Sequence, residues 1–275
     1  MLCPAHLRCA RRLRLQIDLT SVDVLPPEPS WLIDKMLATG YLTILAGMPG
    51  VGKSYLSYAM ALAIASGANF LGHPVRKGKV LYFDEENGED AQHYVRELLR
   101  GMPSSSAAEM APSFHWYLDE LGAQTLEGRY DRMRSLAAAA RPRLIVIDTA
   151  TKALGIIDEN DNAEASRHVE YLGQVRRAAG PTATLLLLKH ARTDPISGER
   201  SIRGAKAWIG SFNAAWCLYR PGRGRPKAYG QTVLEAIKAR VGSFKGALDI
   251  LPTVRNYATP QQSVTLSASI HRETE

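Results

Sequence analysis

Gly47-Met48-Pro49-Gly50-Val51-Gly52-Lys53-Ser54 is the stretch that decides the fold of this 275-residue chain. It fits the pattern G-x-x-x-x-G-K-[ST], in which a glycine-rich turn between a strand and a helix cradles phosphate. Its flanks agree with that reading. The apolar run Tyr41 to Ala46 reads as the preceding strand, and Tyr55 to Ser66 as the following helix. Glycines let the backbone curl so that successive N–H groups point inward at phosphate oxygens. The helix start adds partial positive charge at the same place. The pattern assigns the Lys53 ammonium to the β- and γ-phosphates and the Ser54 hydroxyl to Mg²⁺. Gly47, Pro49, Gly50, Val51, Gly52, Lys53, Ser54 and Tyr55 are therefore the expected nucleotide contacts, with ATP and Mg²⁺ as ligands.

Working outward, strands and helices alternate. Lys79 to Phe83, Phe114 to Leu118, Leu144 to Asp148 and Thr184 to Leu188 read as strands. Ala91 to Arg100, Tyr130 to Ala140 and Ala163 to Ala179 read as helices, and Pro103 to Pro112 as a small-residue loop. Leu144-Ile145-Val146-Ile147 and Leu185 to Leu188 are continuous apolar runs, as strands buried on both faces require. The expected fold is α/β, a mainly parallel central sheet flanked by helices. Beyond Leu188 the pattern changes. Asn213 to Tyr219 and Thr232 to Lys238 read as a C-terminal β-hairpin extension joined by a turn at Pro221 to Pro226, and Leu248 to Leu251 as a last short strand. Three segments follow: 1–29, a basic arm with a Pro-rich linker; 30–257, the ATPase domain; 258–275, a flexible tail rich in Ser, Thr and Gln. The arm is Arg- and Leu-rich, like a transit peptide or an amphipathic helix, and is accessory to the fold.

The net charge of +7 is unevenly placed. Lys189 to Lys245 holds twelve Lys/Arg against three Asp/Glu, more than the whole chain's excess. Such a localised basic surface suits a polyanion, nucleic acid first, or a contact between subunits. No apolar run approaches the roughly 18–20 residues of a membrane span, so no membrane partner is expected. Cys3, Cys9 and Cys217 form neither a disulfide framework nor a zinc pattern, and the expected compartment is a reducing cytoplasm.

Two strand ends carry acids. Leu144-Ile145-Val146-Ile147-Asp148 brings a carboxylate out beside the phosphate loop, where it can hold Mg²⁺ together with Ser54. Val80 to Asp84 ends in Asp84-Glu85-Glu86. ATP hydrolysis needs a group that orients and deprotonates the attacking water. A Glu just past a strand adjacent to the phosphate-loop strand suits that role.

Together these residues resemble the RecA-like P-loop ATPases. Within them the chain looks most like RepA-type plasmid replicative helicases and AAA-family ATPases of phages and mobile elements, over roughly residues 30–250. The resemblance implies a RecA-like fold and a ring, often a hexamer, acting on single-stranded DNA. It implies Glu86 as the catalytic carboxylate, with Glu85 as the fallback, and His190 as a sensor of the γ-phosphate. Ile237-Lys238-Ala239-Arg240 resembles the Lys-x-Arg pair that replicative helicases project into a neighbour's site, so Lys238 and Arg240 are expected to act in trans. RepA-like helicases can carry an Arg before the Trp of the preceding strand, where this chain has Ala215 before Trp216. Ala191 to Lys206 lies where RecA-like proteins place DNA-binding loops, which makes Arg192, Arg200, Arg203 and Lys206 the candidate DNA contacts. Asp158 to Asn162 reads instead as a loop with Asp161 or Asn162 capping the next helix. Competing readings are a nucleotide-controlled assembly switch with slow hydrolysis, and a small-molecule kinase using Arg220 to Arg225 as a lid.

Overall fold

A computed structural model describes residues 30–102, 107–121, 125–193, 200–221, 230–240 and 244–271. The arm at 1–29 and most of the turn at 221–226 lie outside them. A short antiparallel pair, β1 (Trp31–Ile33) and β2 (Leu37–Ala38), leads into β3 (Leu42–Gly47). Then come α1 (Lys53–Ser66), β4 (Val80–Asp84), α2 (Asp90–Gly101), α3 (Ala107–Met110), β5 (Phe114–Leu118) and α4 (Leu126–Ala140). They are followed by β6 (Leu144–Asp148), α5 (Ala150–Leu154), α6 (Asn162–Ala179), β7 (Thr184–Thr193), β8 (Arg200–Ile202) and α7 (Lys206–Ser211). The chain closes with β9 (Ala214–Tyr219), β10 (Thr232–Ala239), β11 (Ala247–Arg255) and β12 (Ser263–Ile270).

One sheet runs β12-β11-β10-β9-β3-β7-β6-β4-β5, with β8 paired to the end of β7. From β9 to β5 the strands are parallel, and β10, β11 and β12 extend the sheet antiparallel. Side chains alternate across the central strands, as strand geometry dictates. Val146 and Leu186 pack with Leu56, Met60 and Ile64 of α1 on one face. Ile145, Ile147, Leu185 and Leu187 pack with Met133 of α4 and Leu172 and Val175 of α6 on the other. In α2 the buried positions Ala91, Val95 and Leu98 fall on one helical stripe. Asp161 caps α6 by accepting from Ala163 N at 2.7 Å, as expected.

Three expectations need correction. β4 is not adjacent to β3, because β7 and β6 lie between them. The stretch 258–275 is not a loose tail: its residues Ser263 to Ile270 form β12, paired along all of that length with β11. Its Ser- and Thr-rich composition suits an edge strand with one exposed face, with only Val264 fully buried. The loop expected at Pro103 to Pro112 contains α3 and a 3-10 turn at Ala111–Ser113.

Candidate functional site

Parallel strands end on one edge, and that edge collects the polar residues. Gly47 of β3 pairs in register with His190 of β7 and Leu218 of β9, and Asp84 of β4 with Asp148 of β6. A Cβ on Gly47 would sit 2.7 Å from the Leu218 carbonyl oxygen, so only glycine lets β9 lie this close. Gly50 (φ 70°) and Gly52 (φ 103°) take the left-handed conformation that curls the loop ahead of α1. Lys53 is buried, and its Nζ donates to the Gly47 and Met48 carbonyls at 3.1 and 3.2 Å. Burial lowers its pKa, with Asp148 and Glu86 pulling the other way.

Asp148 is fully buried. Its Oδ2 accepts from Tyr82 Oη at 3.1 Å and Asn87 Nδ2 at 3.2 Å, and the Ser54 hydroxyl also bonds its carboxylate. Burial pushes this carboxyl up to about 7, with the Ser54 hydrogen bond opposing. Its Oδ1 is buried without a hydrogen-bond partner among the described residues. An orphaned carboxylate oxygen beside the phosphate-loop serine is the donor set a hydrated divalent cation requires. The residues therefore fit Mg²⁺.

Asp84, the first of the three acids, builds the turn that follows. Its Oδ1 accepts from the backbone N–H of Glu86 and Asn87 at 3.2 and 3.1 Å, and from Asn87 Nδ2 at 3.0 Å. Its other oxygen accepts from Tyr58 Oη. Tyr58 stacks on Tyr82 at 4.8 Å, and the Tyr82 and Ser57 hydroxyls are 2.6 Å apart. This buried polar chain joins α1, β4 and β6, and its role is to hold the 86–87 turn in one orientation.

That turn separates the two glutamates. Glu85 is buried, and its Oε1 accepts from Leu121 N at 2.9 Å, which occupies it structurally. Glu86 lines the cleft, and its Oε2 accepts from Thr149 Oγ1 at 3.1 Å and lies 3.6 Å from Lys152 Nζ. His190 lines the same cleft, its Nδ1 buried and unpartnered among the described residues. Burial first, then nearby Lys53, lowers its pKa, so the imidazole is mostly neutral at pH 7. The cleft has a volume of about 440 Å³ and is bordered by Pro49 to Tyr55, Glu86, Asn87, Thr149, His190 and Arg220. Arg220 at the end of β9 donates from Nη2 to the Gly50 carbonyl at 3.1 Å.

The basic candidates are dispersed. Lys238 and Arg240 lie at the end of β10, which runs antiparallel to β9, on the sheet edge opposite the phosphate loop. Lys238 Nζ donates to the Ile209 and Gly210 carbonyls at the end of α7, the second at 3.0 Å. Arg200 stacks over Tyr219 at 3.4 Å from the ring centroid and lies 3.6 Å from Glu235. Arg203 is 2.8 Å from Glu159 Oε2. Arg192 donates to Ser201 Oγ at 3.0 Å, and both Arg192 and Lys206 are exposed.

Sequence reasoning missed Asn87, Tyr58, Tyr82 and the role of Asp84 in turning the chain. The sole signal was a tyrosine inside a strand otherwise suited to a dry core. Lys189, which shares the sensor position at the strand end with His190, is buried 4.3 Å from the Trp208 ring centroid and held by burial at about 8. Among the described residues there is no group of three or more His, Cys, Asp or Glu placed to hold a metal, and no helix long and apolar enough to cross a membrane.

Comparison with known proteins agrees with this architecture. A family described as the AAA domain matches residues 9–195. The fold is similar to the crystal structure of the RadB recombinase, with a TM-score of 0.54 at 17% identity, covering 78% of this chain and 88% of that one. In all, 444 chains of solved structures show such similarity, which makes it a statement about fold rather than activity. No match emerges among curated proteins. The fold is RecA-like, with a mostly parallel sheet flanked by helices and antiparallel C-terminal strands.

Proposed function

The chain belongs to the AAA domain family of P-loop ATPases, and from that premise we propose that it is a Mg²⁺-dependent ATPase working as a cytoplasmic ring, a hexamer, on single-stranded DNA. The observation that carries the hydrolytic part is the convergence of Lys53, Ser54, Asp148, Glu86 and His190 on one cleft edge. Bound Mg²⁺ would offset the charge of the phosphates. Ser54 and Asp148 would hold the cation. Lys53 leaves the loop carbonyls to neutralise the β- and γ-phosphates. Glu86, exposed on the cleft, orients the attacking water and takes its proton. Thr149 and Lys152 fix its carboxylate. His190, neutral at pH 7, reads the γ-phosphate by hydrogen bonding from the end of β7.

Lys238 and Arg240 are too far round the sheet to serve their own cleft. In a ring that edge faces a neighbour, where a cation in trans stabilises charge on the transferring phosphoryl group. Arg240 is exposed and suits the finger itself, while Lys238 anchors the strand end to α7. Arg192 and Lys206, in no ion pair among the described residues, offer their charge to DNA phosphates, and Arg200 and Arg203 must exchange internal partners to join them. Those internal pairings favour the second reading, a nucleotide-controlled assembly switch without translocation.

The test is steady-state ATP hydrolysis against protein concentration, with and without single-stranded DNA. A rate per subunit that rises with both supports the DNA-coupled ring. A rate flat in both rejects it and leaves the switch.

A further inference from the structure

The parallel strands share an amino edge as well, opposite the cleft, and it is basic. Three segments reach it: 66–79 ahead of β4, 137–144 ahead of β6 and 173–184 ahead of β7. They contain no Asp or Glu, and each carries a pair of cations: Lys77 and Lys79, Arg141 and Arg143, Arg176 and Arg177. None of these is in an ion pair among the described residues. The stems are seated against the fold. Arg143 lies so close over Gly78 that a Cβ there would sit 2.2 Å from its Cδ, and Lys77 carbons lie 3.2 to 3.5 Å from a Cβ placed on Gly67. Arg176 Nη1 donates to the Pro181 and Ala183 carbonyls at 3.3 and 3.4 Å. Burial, and then the like charge of Arg177, lower its pKa. A groove of about 460 Å³ runs between Arg141 and Arg143 on one side and Gly180 to Thr182 on the other.

Like charges held together repel unless an anion joins them. Helix ends account for part of the set: Arg176 and Arg177 fall in the last turn of α6, and Arg141 caps α4, where the dipole favours cations. Lys77, Lys79 and Arg143 stand at strand starts, where no such dipole acts. The guanidinium forks match phosphate oxygens. Single strands are held largely by stacking on aromatic side chains, and these segments expose no Phe, Tyr or Trp, since Phe70 is buried. We infer that the amino edge is a docking surface for the backbone phosphates of a nucleic-acid duplex. It is separate from the single-strand candidates Arg192 and Lys206. β7 starts at Thr184, whose N–H donates to the Arg143 carbonyl at 2.8 Å. It ends at Thr193, about 30 Å along the strand.

The test is fluorescence anisotropy of labelled duplex DNA, duplex RNA and oligo-dT against salt, without nucleotide. It uses the full chain and a triple variant, Lys79→Gln, Arg141→Gln and Arg177→Gln. All three side chains are exposed, so the variant should melt and hydrolyse ATP without DNA as the unaltered chain does. At least one duplex should bind about tenfold or more weaker, and its slope of log affinity against log salt should fall by about 2–3, at ~0.9 per phosphate, with oligo-dT unchanged. The duplex that responds identifies the form bound. If the triple variant melts early, the single substitutions, each lowering the slope by ~0.9, carry the same test. Unchanged duplex affinity and slope overturn the proposal, as does a failure of the unaltered chain to bind any duplex. Equal loss on oligo-dT overturns the duplex assignment and reduces the edge to general charge attraction. Polyglutamate binding that is lost in the variant, with duplex binding unaffected, overturns it in favour of an acidic protein.

Discussion

Replacing Asp148 by Asn should stabilise the nucleotide-free protein while abolishing its use of Mg²⁺. The carboxylate is fully buried, and burial moves its pKa from 3.8 to about 7. A carboxyl with a raised folded pKa keeps a proton that the unfolded chain has released, so native stability falls as pH rises from about 4 to about 7 and is level above that. At pH 8 the full cost of ionisation is at most ~4 kcal/mol, from 1.36 kcal/mol per pH unit of displacement. The Asn amide keeps an acceptor for Tyr82 and Asn87, but its NH₂ takes the place of Oδ1 and is buried unsatisfied, which costs ~1–3 kcal/mol. The expected gain at pH 8 is therefore ~1–3 kcal/mol, and at pH 5 about 2–3 kcal/mol less than that. Urea unfolding of both proteins at the two pH values, without nucleotide or metal, measures the difference. A variant less stable than the native chain at pH 8, or a difference that does not change with pH, would refute the argument. The same burial makes Mg²⁺ binding pH-dependent, since the cation needs the ionised form. Stabilisation by MgATP should strengthen from pH 6 to pH 8 in the native chain and be lost in the variant.

Glu86→Gln should lower single-turnover hydrolysis by ~10²–10⁴-fold, the usual worth of a general base, with ATP binding retained. Glu85→Gln should leave turnover within about tenfold and instead cost stability by ~1–3 kcal/mol, because its partner is the Leu121 amide; the opposite pattern would exchange their roles. Lys189→Met should be neutral or stabilising at pH 7. A cation whose folded pKa is lowered to about 8 carries its full burial cost below pH 8 and sheds it as pH climbs toward 10.5, so the variant's advantage should shrink between melts at pH 7 and pH 10. Arg192→Ala and Lys206→Ala should each reduce the slope of log affinity for single-stranded DNA against log salt by ~0.7; an unchanged slope would place the DNA elsewhere.

The phosphate loop was legible because its function is local. Glycines at 47, 50 and 52 and the Lys-Ser pair act through the backbone they themselves bend, so eight consecutive residues carry the whole signal. The buried strands were legible for a similar reason: a parallel strand covered on both faces must be apolar at every position, and Leu144 to Ile147 is. The sequence by itself thus determined the α/β class, the phosphate loop and the strand ends that bear its acids. Only the tertiary structure decided where each acid lies and what it touches. Asp84, Glu85 and Glu86 are chemically alike, and their sequence places all three at one strand end. They separate because the Asp84 carboxylate folds the turn back on itself, Glu85 is turned inward to Leu121, and Glu86 is left facing the cleft. Strand order was equally hidden, since β7 and β6 come later in the chain yet lie between β3 and β4. The same holds for β12: its alternating Ser and Thr residues suit an exposed edge as well as a loose tail, and only pairing with β11 and the close approach of Gly101 separate the two. Contacts between residues distant in the chain depend on which surfaces meet, and a local pattern carries no record of that.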